Sequence, residues 1–116
     1  MLLSNERVLI DIPACVVEGK YPRTVQSVLC WFIESVHEYA EKNLAKGDQW
    51  DVNLHRRYNT LLNILIRLYN HCTNGRHNEL YAGVCLCYEA YKLSHYDEPD
   101  LYKVCGALSS MLYTIE

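Results

Sequence analysis

The sequence has no excess of positive charge. Its 11 Lys and Arg residues face 14 Asp and Glu residues, which gives a formal net charge of -3. Proteins that bind nucleic acids rely on clustered basic side chains that neutralise phosphates. The single basic cluster, His55 to Arg57, is typical of a solvated helix face. We therefore expect no nucleic-acid partner.

Long apolar runs are also missing. No stretch approaches the ~18 apolar residues that a membrane-spanning helix requires. The opening MLLSNERVLIDIPAC is similar to a lipoprotein signal because Cys15 follows an apolar stretch. However, polar and charged residues interrupt that stretch at Asn5, Glu6, Arg7 and Asp11. The pattern predicts a cytoplasmic protein without membrane contact.

The six cysteines include no Cys-x-x-Cys pair, and they stand at positions 15, 30, 72, 85, 87 and 105. An even cysteine count would indicate disulfides in a small secreted protein. Here no export signal is recognised and core-forming residues are plentiful, so buried free thiols are the better interpretation.

The stretches HCTNGRH (71–77) and CLC (85–87) raise the question of a metal site. Residues two apart on a helix point about 200° away from each other, so Cys85 and Cys87 cannot both reach one ion. Cys72, His77 and one of that pair remain an open combination, but the spacing typical of zinc sites is absent. We expect no metal and no cofactor, and the motif is better explained as a helix boundary at Asn74-Gly75.

Neither a glycine-rich phosphate loop nor a serine-nucleophile motif is present. His71 and Cys72 are adjacent, and adjacent helical side chains diverge, so they do not form a thiolate pair. We therefore expect no catalytic residues and no enzymatic activity. A small metal- or thiol-dependent enzyme or sensor remains an alternative.

Apolar residues recur at three- and four-residue steps through most of the chain, which predicts an all-α protein. Helix boundaries marked by proline, glycine and acidic residues divide it into four helices near 22–46, 51–73, 77–95 and 99–114. Short connections favour an antiparallel four-helix bundle, with residues 1–116 as one domain and 1–21 as an irregular or extended lead-in.

The third predicted helix is apolar on two sides, which indicates that it is buried on several sides or shares a face with a partner. The sequence also contains ten Tyr residues against one Phe, and tyrosine suits interfaces between apolar and wet surroundings. We therefore expect another protein, or a second copy of this chain, to bind a surface that residues 8–17 partly shield. The predicted surface comprises Leu86, Ala90, Leu93, Tyr96 and Tyr102.

Several stretches resemble the helical-bundle chaperones that bind flagellin before export. They are PRTVQSVLCWFIESV, LAKGDQWDVN, RRYNTLLNILIRL and ELYAGVCLCYEAYKLSHYDEPDLYKVCGALSSML. The resemblance lies in helix lengths and turn positions, and it assigns no partner-contacting residue. It implies a chaperone that binds an amphipathic helical segment of a client. An inhibitor or adaptor encoded by a mobile element, which blocks a host protein complex, is a second hypothesis.

The protein should purify without stoichiometric zinc and keep its helix content in reducing agent, because no cysteine pair has ligand spacing. Elemental analysis and circular dichroism test this. One tightly held zinc ion per chain, with unfolding upon chelation, would contradict the prediction.

Overall fold

The computed structural model describes residues 21–43, 52–94 and 98–116, and they form a bundle of four α-helices. We number them α1 to α4, and a short 3-10 turn at Asn78–Leu80 precedes α3. The helices are α1 Val25–Asn43, α2 Val52–His71, α3 Tyr81–Leu93 and α4 Glu98–Ile115. The predicted all-α bundle is confirmed. No helix within these ranges is long and apolar enough to cross a membrane.

Two helices begin later than the sequence predicts. The expected start of α1 at Pro22 was three residues early, because Thr24 caps the helix: its Oγ1 accepts a hydrogen bond from the Ser27 backbone N–H at 3.1 Å. The expected start of α3 at His77 was four residues early. His77 has a φ of 61°, which is incompatible with a right-handed helix.

The turn between α2 and α3 reverses the chain through three left-handed residues. Asn74, Gly75 and His77 have φ values of 51°, 79° and 61°. Glycine adopts this conformation without steric cost, and asparagine adopts it more readily than most residues. The predicted boundary at Asn74-Gly75 therefore lies in the reversal, while α2 itself ends at His71.

Each helix packs against two others: α1 and α4 both contact α2 and α3. On α1 and α2, the rings of Tyr39 and Tyr58 stack with centroids 5.4 Å apart, and Gln26 donates a hydrogen bond to the Tyr69 carbonyl at 3.4 Å. Late residues of α1 thus meet early residues of α2, so the two helices are antiparallel.

The pairs α1–α3 and α2–α4 run parallel. Tyr81 Oη donates to the Pro22 carbonyl at 2.5 Å, and further along both helices Ser35 Oγ lies 2.8 Å from Tyr88 Oη. On the other side of the bundle, Arg57 stands over the Tyr102 ring, and Arg67 pairs with Glu116 at 2.6 Å. Consecutive helices are therefore antiparallel, and helices of like direction lie side by side.

The core is apolar throughout the described part of the chain, which contains no buried polar or charged residue. It holds the predicted stripes of all four helices, including Val28, Phe32, Leu61, Leu65, Leu68, Val84, Tyr91, Leu101 and Leu108. Burial of such side chains stabilises a fold by roughly 1.5–3 kcal/mol each relative to exposure.

Replacing Leu65 with alanine should lower the free energy of unfolding by about 2–5 kcal/mol, because its side chain is 0% exposed and its loss leaves a cavity. Ile66 is the matched control: it is adjacent in α2 but 41% exposed, and Ile66→Ala should cost less than about 1 kcal/mol. Urea unfolding measures both. Equal losses for the two variants would contradict this assignment.

Candidate functional site

An open apolar groove lies between α3 and α4, with a volume of about 180 Å³. We call it the α3–α4 groove. It is lined by Gly83, Leu86, Cys87 and Ala90 of α3 and by Lys103, Val104, Ala107 and Met111 of α4. Of these eight residues only Lys103 carries a charge. The surface is therefore suited to apolar side chains, with one cation at its edge.

Small residues create the groove. On α3, Gly83 and Ala90 are seven residues apart, which places them two turns apart on one side of the helix. Ala107 lines the opposite wall on α4. Because none of these three extends beyond a Cβ atom, the space between the two helices is not filled. Cys87, Val104 and Met111 are buried and form the floor.

The residues of the partner surface predicted from the sequence do not all lie on one surface in the structure. Leu86 and Ala90 line the groove. Leu93 is 78% exposed but does not line it, and Tyr102 is 62% exposed on another side of α4. There the Arg57 guanidinium of α2 lies 4.8 Å from the centroid of the Tyr102 ring. Tyr96 lies outside the described residues, as do residues 8–17 that were predicted to shield the surface.

The α4 wall of the groove did not appear in the sequence prediction. Val104 and Met111 belong to the core stripe of α4, and the apolar pattern alone does not reveal that one edge of this stripe is uncovered. Ala107 was the available signal, since a small residue one turn from Val104 and Met111 leaves a gap unless a larger side chain faces it.

On the other flank of α3, Tyr21 packs against three residues of the helix: Tyr88, Glu89 and Lys92. Tyr21 is 5% exposed, its hydroxyl donates to the Glu89 carboxylate, and its ring lies 5.4 Å from that of Tyr88. Lys92 Nζ stands 4.9 Å above the Tyr88 ring and 3.7 Å from Glu89. One apolar flank of α3 is thus closed by the chain itself, while the other faces the open groove.

A second, polar hollow runs along α1 and is lined mainly by Trp31, Glu34, His37, Glu38 and Glu41. The pairs His37–Glu41 at 3.5 Å and Glu38–Lys42 at 3.9 Å are more than 60% exposed. Exposed ion pairs of this kind contribute at most about 1 kcal/mol. The hollow therefore has the properties of a solvated acidic helix face.

The cysteines in the described ranges are free thiols, and four of them are buried: Cys72, Cys85, Cys87 and Cys105. Burial raises the pKa of Cys87 to about 12 and that of Cys105 to about 11, and it also raises the pKa of Cys72. A thiolate is the reactive and metal-binding form. At neutral pH these three side chains are neutral and pack as apolar groups.

The contacts of His71 and His77 are with carboxylates. His71 Nε2 lies 3.4 Å from Glu116, and His77 Nδ1 lies 3.5 Å from Glu79. Among the residues that the structure describes, no three or more His, Cys, Asp or Glu side chains are grouped so that they could hold a metal ion.

Comparisons with protein-family models, with curated proteins and with solved structures find no match to this chain. The similarity to flagellin-binding export chaperones therefore remains an expectation from the sequence.

Stability should fall as the pH rises from about 8.5, the ordinary thiol pKa, towards 12. The pKa of Cys87 is higher in the folded chain, so the unfolded chain loses its proton first and gains stability over that range. The Cys87→Ala variant lacks this linkage, and its free energy of unfolding should fall less steeply, by roughly 1 kcal/mol per pH unit. Urea unfolding in reducing agent between pH 8 and pH 10.5 measures the difference.

All other ionisable side chains are common to both proteins, so their contributions cancel in the comparison. Identical pH dependence in the two proteins would contradict the burial of the Cys87 thiol.

Proposed function

We propose that this chain is a non-enzymatic protein-binding module whose α3–α4 groove holds an amphipathic helical segment of another protein. The observation that carries the proposal is an apolar strip beside α3 that none of the other described residues covers. The opposite flank of this helix is closed by Tyr21 and the Tyr88 ring, whereas Leu86 and Ala90 border open space. Apolar surface left open on an otherwise packed bundle is typical of an interaction site.

The dimensions of the groove favour side chains of a partner over a free small molecule. Pockets for drug-sized ligands usually measure about 300–1,000 Å³, and this groove measures about 180 Å³. A cavity of about 150 Å³ accommodates one benzene-sized group. The groove therefore accepts a small number of anchoring side chains, as helix-in-groove complexes do.

The chemistry of the cysteines favours binding over the alternative of a thiol-dependent enzyme or sensor. The raised pKa values of Cys72, Cys87 and Cys105 keep these thiols protonated at neutral pH, and a reactive cysteine requires the thiolate.

An export-type chaperone is the form of this function that the sequence resemblance favours. Such a protein covers an amphipathic segment of a client until the client is delivered, and an open groove between two helices is suited to that role. The client would insert its apolar face between α3 and α4 and leave its polar face in water.

A second candidate, an inhibitor or adaptor, is favoured by a different surface. Tyr102 and Tyr113 are 62% and 86% exposed, and their spacing of eleven residues places both on one side of α4. Exposed tyrosines that form a flat face are common in protein interfaces. An inhibitor that blocks a host complex would use this α4 face and would not need the groove.

Binding of a model amphipathic helical peptide distinguishes the two surfaces. The peptide carries leucines at positions i, i+4 and i+7, and binding is followed through the methyl resonances of Ala90, Ala107 and Met111 in the full-length protein. We expect these resonances to shift upon titration. Ala90→Lys, which places a charge in the groove, should weaken binding at least about tenfold.

Ile66→Lys is the matched control, because it introduces the same charge at an exposed apolar position of α2 and should leave binding unchanged. If the peptide instead perturbs Tyr113 and Tyr113→Lys abolishes binding, the α4 face is the site and the groove proposal is wrong.

A further inference from the structure

Lys103 is placed at the groove in a way that apolar binding alone does not require. Its side chain lines the groove, yet the residue is exposed. A lysine can lay its methylene stem along an apolar surface while the ammonium group stays in water. The charge therefore stands at the edge of the groove, where an incoming helix places the residues that flank its apolar stripe.

The one charged side chain in the groove lining is a cation, although the chain as a whole carries -3. Asp100 lies one turn before Lys103 on α4 and is not among the lining residues. On α3, the carboxylate of Glu89 is engaged by Tyr21 and by Lys92 on the opposite flank. The acidic residues Glu34, Glu38 and Glu41 line the hollow on α1. Of the groove lining itself, Lys103 is the only charged member.

From this placement we infer that the α3–α4 groove selects a helix with an acidic side chain beside its apolar anchors, and that Lys103 is the residue that recognises the acid. The inference rests on the proposed function and specifies its partner. A basic residue at the same place on the partner would meet the Lys103 ammonium group and be disfavoured.

The geometry also sets the spacing of the anchors. Met111 lies eight positions after Lys103 in α4, which corresponds to about 12 Å along the helix axis. Apolar residues at i, i+4 and i+7 of a partner helix span about 10.5 Å and therefore fit this length. One apolar anchor of the partner helix would lie between Ala90 and Lys103. The acidic residue of the partner should stand within one helical turn of that anchor.

Two fluorescent helical peptides test the inference with the full-length protein. They share the same three leucine anchors and differ at one flanking position, which is Glu in one and Lys in the other. We expect the Glu peptide to bind more tightly by on the order of fivefold, the range of an exposed ion pair. The preference should shrink in high salt because exposed charges are screened.

Charge reversal at Lys103 tests whether this residue causes the preference for the Glu peptide. Lys103→Glu should invert the preference, so that the Lys peptide binds more tightly. Lys42→Glu is the matched control, because Lys42 is 70% exposed on α1 and its reversal changes the net charge by the same amount. A preference that changes equally in both variants would come from net charge alone and would overturn the inference.

The remaining outcomes separate the inference from the proposed function. Equal binding of both peptides, unaffected by Lys103→Glu but abolished by Ala90→Lys, overturns the role of Lys103 and leaves the groove as the binding site. If neither peptide binds and the Ala90 methyl resonance is unperturbed, the proposed function itself is overturned. If the Ala90 methyl resonance shifts when the protein concentration is raised without peptide, a second copy of this chain occupies the groove. That result would overturn the inference of an acidic helical partner.

Discussion

The packing of α3 is the constraint on which the rest of the structure depends. Val84 and Tyr91 face the core, while Tyr88 and Cys87 extend the buried surface towards opposite flanks. A helix that is apolar around most of its circumference needs neighbours on several sides. Phe32 and Tyr21 supply aromatic contacts on the flank of Tyr88, with ring centroids 5.1 Å and 5.4 Å from it. On the flank of Cys87, α4 is the only neighbour among the described helices, and the small residues Gly83, Ala90 and Ala107 leave the gap that forms the groove.

The path of the chain follows from the same requirement. Parallel packing of α1 with α3 brings the Tyr21 segment onto α3, where Tyr81 donates to the Pro22 carbonyl. The chain must then reverse sharply after α2, and the left-handed residues Asn74, Gly75 and His77 accomplish this reversal. The ion pair between Arg67 and Glu116 at 2.6 Å joins α2 to α4 at the same end of the bundle. The groove is consequently bordered by two helices that follow one another in the chain.

The proposed function depends on the apolar floor of the α3–α4 groove and on the charge at its edge. The Cys87 thiol is part of the groove floor, and burial keeps it neutral at neutral pH, so that it packs there as an apolar group. Lys103 adds a charge where the apolar surface ends. A floor without charge and one cation at the edge are the features from which we propose that the groove binds one face of an amphipathic helix. The proposed chaperone function and the proposed inhibitor or adaptor function are both forms of protein binding, and the two proposals use different faces of α4.

The sequence by itself determined the helices and their inward faces, because these depend on local periodicity and on capping residues. Leu65 and the stripe around it were predictable for this reason, as was the chain reversal at Asn74-Gly75. Two of the eight residues that line the groove, Leu86 and Ala90, were predictable as well, since they lie on the second apolar side of α3. Only the tertiary structure decided that Tyr102 turns towards Arg57, and that Lys103, Val104 and Ala107 complete the groove. An interhelical gap depends on the sizes of side chains that meet from separate helices, and the periodicity of one helix contains no information about its neighbour.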